Sequence, residues 1–321
     1  MPEAVTLGEL LVDFVSTETD VSLTEAPMFS GAAGGAPANV AVGLARLGVK
    51  AGFIGKVGRD PFGEFLRRTL DGTGVDTEQL RVSDGARTTL AFVATRSDGR
   101  KDICFYRHPG ADMLLRAEEI NRAYLASASL FHFGSVSLSR SPAREATLHA
   151  ALVARQAGCM VSYDPNWRPT LWSDEGEARG HIWEAMELAD VVHCAEEEWE
   201  FITGEVDLRT GAERILNVGP RMVVVTLGDR GCYYDTGRYR GEARGFEVEV
   251  VDPLGAGDGF VAGMLSQLMY APSLERLDEG LLRKVMMYAN AGGALTCTKR
   301  GVIPALPSAD VLDEFLTERS E

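Results

Sequence analysis

The chain has 321 residues, enough for a large α/β domain with a substantial core. Lys and Arg number 32 against 47 Asp and Glu, a net charge of −15 that argues against nucleic acid or an anionic membrane as partner, since both need a concentrated basic face. With no 18-residue apolar run, no signal-like start, no CxxC among the five cysteines and no HExxH among the five histidines, a cytoplasmic protein with reduced core cysteines and no structural metal is expected.

From the N-terminus, residues 5–7 form a short apolar strand, and 14–30 is strand-like with polar alternation. Gly31-Ala-Ala-Gly-Gly-Ala-Pro-Ala-Asn39 follows. Its glycines permit close approaches that a Cβ would block, and Pro37 suits the first turn of a helix running through Val40, Leu44 and Leu47 to a stop at Gly48. Such a loop aims N–H groups at whatever sits above the helix start; the plainer reading is a tight turn with Asn39 an ordinary polar helix residue. Residues 52–57 form the next strand. The segment 87–106 contains strands at 90–95 and 103–106 around a turn at Ser97-Asp98-Gly99. It is either an edge hairpin of a main sheet or a small β lid over a site.

Strands at 130–133, 160–163, 191–194 and 222–227 then alternate with amphipathic stretches such as 142–157 and 177–188. This rhythm predicts a mostly parallel central sheet with helices on both faces, and a site where strands end and helices begin. After the strand at 160–163 comes Asp164-Pro-Asn166-Trp-Arg168-Pro169, a proline-stiffened loop whose Arg168 either holds an anionic oxygen or is a surface arginine. Glu196, Glu197 and Glu198 read as a solvated helix face or as a place for hydrated Mg²⁺. Thr226-Leu-Gly228-Asp-Arg-Gly231 turns through two glycines, and Asn290-Ala-Gly-Gly-Ala294 gives a helix a small-residue face that a flat ring can approach. Plain packing accounts for either.

Near the C-terminus stands Asp252-Pro-Leu-Gly-Ala-Gly-Asp258, leading into an apolar helix over 260–269. Backbone N–H groups at such a start, aided by the helix dipole, make an anion cradle able to follow charge on a transferring phosphoryl group. Asp258, in the same turn, either accepts a proton from a substrate hydroxyl or caps the helix. Residues 52–57 lack the spacer and hydroxyl residue of a P-loop, and Phe260 breaks a GxGxxG at 255–260, so a Walker-type ATPase and a Rossmann dehydrogenase are disfavoured.

In this order the segments resemble the ribokinase-like (PfkB) family of carbohydrate kinases over nearly the whole chain. Residues 34–39 with Gly55, Gly58 and Gly63 are similar to its N-terminal glycine motif, and 252–264 to its C-terminal motif. The resemblance implies one ribokinase-like α/β domain over 1–321, with a small β-sheet lid from roughly 14–30 and 87–112. It implies ATP and Mg²⁺, and phosphorylation of a sugar hydroxyl. Asp258 would be the general base, and the N–H groups of Gly255, Ala256 and Gly257 the anion hole. Asp13, Gly34, Gly35 and Asn39 would hold the sugar, with Phe92, Phe105 and Arg107 closing from the lid. Arg168 would stand near the phosphates or the sugar, on a loop steadied by Asn166. Thr226, Gly228, Gly231 and Asn290 would line the nucleotide pocket.

Within the family, Gly8-Glu-Leu-Leu-Val-Asp13, Thr89-Leu-Ala-Phe92-Val and Phe105-Tyr-Arg107 look most like fructokinase segments, which implies transfer to the 6-hydroxyl of D-fructose. The 2-keto-3-deoxygluconate kinases share the Asp-x-Asn-x-Arg segment and are an alternative, with Arg107 or Arg168 to meet that substrate's carboxylate. A sugar-sensing pseudokinase is the non-enzymatic alternative, and retention of Asp258 with all three small loop residues argues against it. The chain departs from the family's Asn-x-x-Glu at Ala195-Glu-Glu-Glu198, leaving Glu198 to position Mg²⁺ through water. It departs again at Pro253, Leu254 and Ala305, leaving Asp252 and backbone carbonyls of 296–305 for K⁺. A homodimer paired through the lid is also implied.

Overall fold

The structure, a computed structural model, describes residues 1–96, 101–271 and 273–319. The chain begins with β1 (Ala4–Leu7), β2 (Leu11–Ser16), β3 (Phe29–Gly34), α1 (Ala36–Arg46), β4 (Ala51–Gly58), α2 (Pro61–Gly72) and β5 (Leu80–Ser83). It continues through β6 (Leu90–Thr95), β7 (Lys101–Tyr106), α3 (Arg122–Ala126), β8 (Leu130–Gly134), α4 (Ala143–Gln156) and β9 (Met160–Asp164). Next come α5 (Glu175–Met186), β10 (Val191–Ala195), α6 (Glu196–Thr203), α7 (Leu208–Leu216), β11 (Met222–Thr226), β12 (Cys232–Asp235) and β13 (Arg240–Ala243). It ends with α8 (Ala256–Leu268), α9 (Glu279–Thr296), α10 (Val302–Ala305) and α11 (Ala309–Glu318).

The main sheet has the order β13-β12-β11-β10-β9-β8-β1-β4-β5 and is parallel except for β12 and β13. Side-chain alternation divides its apolar residues between two cores. Ala4, Phe53 and Val224 face α1, α8 and α9, whereas Val5, Val223 and Val225 face α4 to α7. Central strands such as β11 are apolar from Met222 to Val225 because both faces are covered. The predicted parallel sheet with helices on both faces is therefore present. The antiparallel β12–β13 pair and the short edge strand β5 extend it beyond the predicted strands.

A separate four-stranded sheet runs β3-β2-β6-β7. Its β2 starts at Leu11 and its β3 runs into the glycine motif as far as Gly34, so that motif is half strand and half helix start. The turn expected at Ser97-Asp98-Gly99 lies outside the described residues. Cys159, Cys194 and Cys232 are buried as expected, but Cys104 is exposed on β7 and Cys297 half-exposed. No described helix is long and apolar enough to cross a membrane.

Candidate active site

Two helix starts meet where the sheets join. At the first, Gly34 ends β3 and Gly35 precedes α1; a Cβ on Gly34 would stand 1.9 Å from Asp13 Oδ2, so only glycine admits the Asp13 carboxylate there. At the second, Gly255 takes a left-handed conformation (φ 80°) and lets α8 begin at Ala256, four residues before the predicted apolar stretch. No side chain caps this start, so its N–H groups stay available to an anion. Gly255, Ala256 and Gly257 are partly exposed, and nothing lies within 4 Å of a Cβ placed on Gly257. Asp258 is buried in the first turn, and its Oδ2 accepts a 2.8 Å hydrogen bond from Asn39 Nδ2. That bond joins the two motifs across 219 residues of chain.

The ends of β9, β10 and β11 form the adjoining floor. Asn166 has φ 44°, and Arg168 Nη1 donates to the carbonyls of Asn166 and Trp167, folding the arginine back on its own loop. Glu198, buried in α6, accepts from Ala195 N at 3.0 Å and Trp167 N at 2.6 Å, so it ties this loop to α6. Burial, then the nearby Asp164 charge, pushes the Glu198 carboxyl upward. Thr226 and Gly228 follow at the end of β11, with Gly231 opening β12. Asn290 on α9 donates to Ala243 O and Arg244 O at 3.0 Å each, shaping the wall of this side. Asp252 accepts from Leu254 N at 3.0 Å and Gly301 N at 3.1 Å, bracing the chain just before the cradle. Among the described residues no group of three or more His, Cys, Asp or Glu side chains is arranged to hold a metal.

Strand register decides what the small sheet presents. Asp13 pairs with Ala91, and Ala91 with Phe105, so Asp13 and Phe105 share one face. Phe92 pairs with Phe14 and stacks on it at 5.1 Å, on the opposite face, so the structure does not bring it to Asp13. Arg107 is buried at the root of β7. It donates to Asp112 at 2.7 Å, to Ser139 Oγ at 2.9 Å and to Val136 O at 3.2 Å, which joins the small sheet to the main body. Three buried groups here escaped sequence reasoning. Asp112 is Arg107's counter-ion; Glu9 accepts from Ala36 N at 3.1 Å, and burial pushes it up to about 7; His193 bridges Asp164 and Thr226. Position offered a signal for Glu9 alone, which lies between the end of β1 and the start of β2; His193 is in the middle of β10 and Asp112 six residues beyond β7.

An uncapped helix start with a buried carboxylate in its first turn, bonded to Asn39 of the other glycine motif, fits a phosphotransferase acting on a hydroxyl compound. Residues 1–309 match the model of the pfkB family carbohydrate kinases. The chain is 45% identical over 319 residues to a protein of Arabidopsis thaliana named probable fructokinase-3, covering 99% of this chain and 92% of that one. Among solved structures, fructokinase from Xylella fastidiosa with bound ATP superposes with a TM-score of 0.91 at 33% identity, over the whole of both chains. Fructokinase from Vibrio cholerae O395, bound to fructose, ADP and calcium, gives 0.88 at 33% identity, covering 98% of this chain and 99% of that one. The chain belongs to the pfkB family of carbohydrate kinases.

Proposed function

We propose that the protein is a fructokinase, moving the γ-phosphoryl of ATP to the 6-hydroxyl of D-fructose within one kinase domain whose small sheet serves as the lid. The observation that carries this reading is the Asn39–Asp258 hydrogen bond, which joins the carboxylate at the start of α8 to the first glycine motif. Asp258 takes the proton of the attacking hydroxyl. The N–H groups at 255–257 receive charge from the transferring group, and Asp13, Gly34 and Gly35 hold the other sugar hydroxyls. In-line positioning and charge stabilisation are what phosphoryl transfer chiefly needs. Mg²⁺ arrives as the substrate MgATP and offsets phosphate charge; the lack of a multi-carboxylate cage among the described residues suits an ion carried by phosphates and water. A K⁺ ion would sit beside Asp252, whose oxygens keep second lone pairs beyond the two backbone bonds.

Fructose is favoured over 2-keto-3-deoxygluconate because Arg107, one of the two arginines offered to a substrate carboxylate, is buried and paired with Asp112. Identity of 45% to proteins named as fructokinases supports the same choice. The test is ADP release from MgATP with a panel of sugars, for wild type and Asp258→Asn. Turnover with fructose that falls by about 10²–10⁴-fold in the variant supports both substrate and base. Turnover with ketodeoxygluconate alone would move the substrate, and binding without any turnover would make the protein a sensor.

A further inference from the structure

Beneath the cradle lies a buried polar cluster centred on His193, a residue that none of the roles above employs. His193, on β10, donates from Nδ1 to Asp164 Oδ2 at 3.0 Å, at the end of β9. Its Nε2 lies 3.2 Å from Thr226 Oγ1, at the end of β11. The Thr226 hydroxyl also faces the Cys194 carbonyl at 3.5 Å, so its one proton goes either there, leaving its oxygen to accept from Nε2–H, or to Nε2 itself. In the first arrangement both ring nitrogens donate, which only the imidazolium form does.

The surroundings favour the same form. Burial works against a charged His193, but Asp164 on β9, Glu198 on α6 and Asp258 on α8 outweigh it and hold the imidazole above its usual range. The other cationic candidates do not replace it. His132 on β8, whose Nδ1 lies 3.1 Å from Ser162 Oγ, is pushed down to about 4 by burial, and Arg168 acts on Asp164 from the loop beyond β9. The His193 ring packs 5.4 Å from that of Phe260, two residues past Asp258 on α8.

We infer that His193 is a positioning residue of the transfer site: a buried imidazolium that holds the Asp164 loop and the Thr226 loop at one separation and sets a positive charge beneath Asp258. The inference rests on the kinase reading for its consequence in turnover, though not for the charge itself. A cation below Asp258 keeps that carboxylate ionised to lower pH.

Two measurements on the full chain test it. In the first, the imidazole resonances are followed by NMR against pH, with His193 assigned by its loss in His193→Gln. It is expected to titrate above the ordinary 6.5. In the second, pH profiles of kcat/KM are compared for wild type, His193→Gln and His193→Lys. Gln can keep both hydrogen bonds without the charge, and Lys keeps the charge. The acid limb is expected to rise by about one unit in the Gln variant, with a higher KM for ATP, and to stay at the wild-type position in the Lys variant. A resonance titrating at or below 6.5 overturns the inference, as does a Gln variant slowed equally at every pH. If the Gln variant does not fold, the wild-type resonance that titrates above 6.5 is identified instead by its absence in His193→Lys. A wild type that turns over no sugar sinks the kinase reading and leaves the NMR result to judge the charge.

Discussion

The bond to Asp258 gives Asn39 a part that its proposed role as a sugar ligand does not include. By donating Nδ2 at 2.8 Å to Oδ2 it fixes how the Asp258 carboxylate is turned, and it stabilises the ionised form of that group. Asn39→Asp replaces that donor with a second carboxylate at the same position. Two carboxylates so close cannot both ionise readily, so the apparent pKa of the pair's second proton rises. The expected outcome is an acid limb of kcat/KM for fructose moved up by at least about one unit, alongside a lower kcat. An unmoved limb in a folded variant would mean that the base lies elsewhere. Spacing along the chain gave no access to this contact. The two motifs were legible separately, from their glycines and the helix that follows each, but a pairing across 219 residues is set by how α1 and α8 pack.

At the scale of elements, Glu9 anchors α1. It sits in the turn between β1 and β2, and its Oε1 takes the first N–H of the helix, on Ala36. Burial is the main reason its carboxyl rises from 4.5 to about 7, with Asp112 adding to the effect and Arg107 opposing it. The folded form therefore binds this proton more tightly than the unfolded chain does. The associated stability is fully present below pH 4.5 and is lost as pH rises through about 7, a change of about 3 kcal/mol at most. Glu9→Gln keeps an acceptor for Ala36 and cannot ionise. Thermal melts should show wild type losing ground between pH 5 and pH 9, by about 3 kcal/mol at most, while the Gln variant loses that much less; parallel curves would refute the assignment. The main sheet was readable because its buried strands are short apolar runs between amphipathic helices. The small sheet was readable as strands but not as faces. Whether Phe92 or Phe105 looks toward Asp13 depends on register against β2, a non-local choice that flips with a single-residue shift. Arg107 misled for a related reason, since its partners Asp112, Ser139 and Val136 lie past the end of β7 and no local pattern pairs them with it.

For the whole molecule, the small sheet leaves its outer strands β3 and β7 as edges, and one of its faces carries Phe14, Phe29, Phe92 and Tyr106 in mutual ring contact. Phe62 of α2 covers Phe14 edge-on, yet Tyr106 remains 65% exposed and Met28 64%. Open strand edges beside exposed aromatic and apolar side chains are a liability in a monomer, and pairing two small sheets removes both at once. We therefore propose a homodimer formed through this sheet. The net charge of −15 on each chain opposes that pairing over long range, so the dimer should tighten as salt screens the repulsion. Light scattering on the 34.7 kDa chain is expected to give twice that mass near 0.15 M salt, with dissociation growing on dilution into about 0.01 M. Tyr106→Glu places a carboxylate on the aromatic face, where pairing would desolvate it, and should shift the mass to that of one chain. Tyr106 pairs with Leu90, on the face opposite Asp13, so the substitution leaves the Asp13 face unaltered. A Tyr106→Glu protein of unchanged dimeric mass would place the interface on another surface.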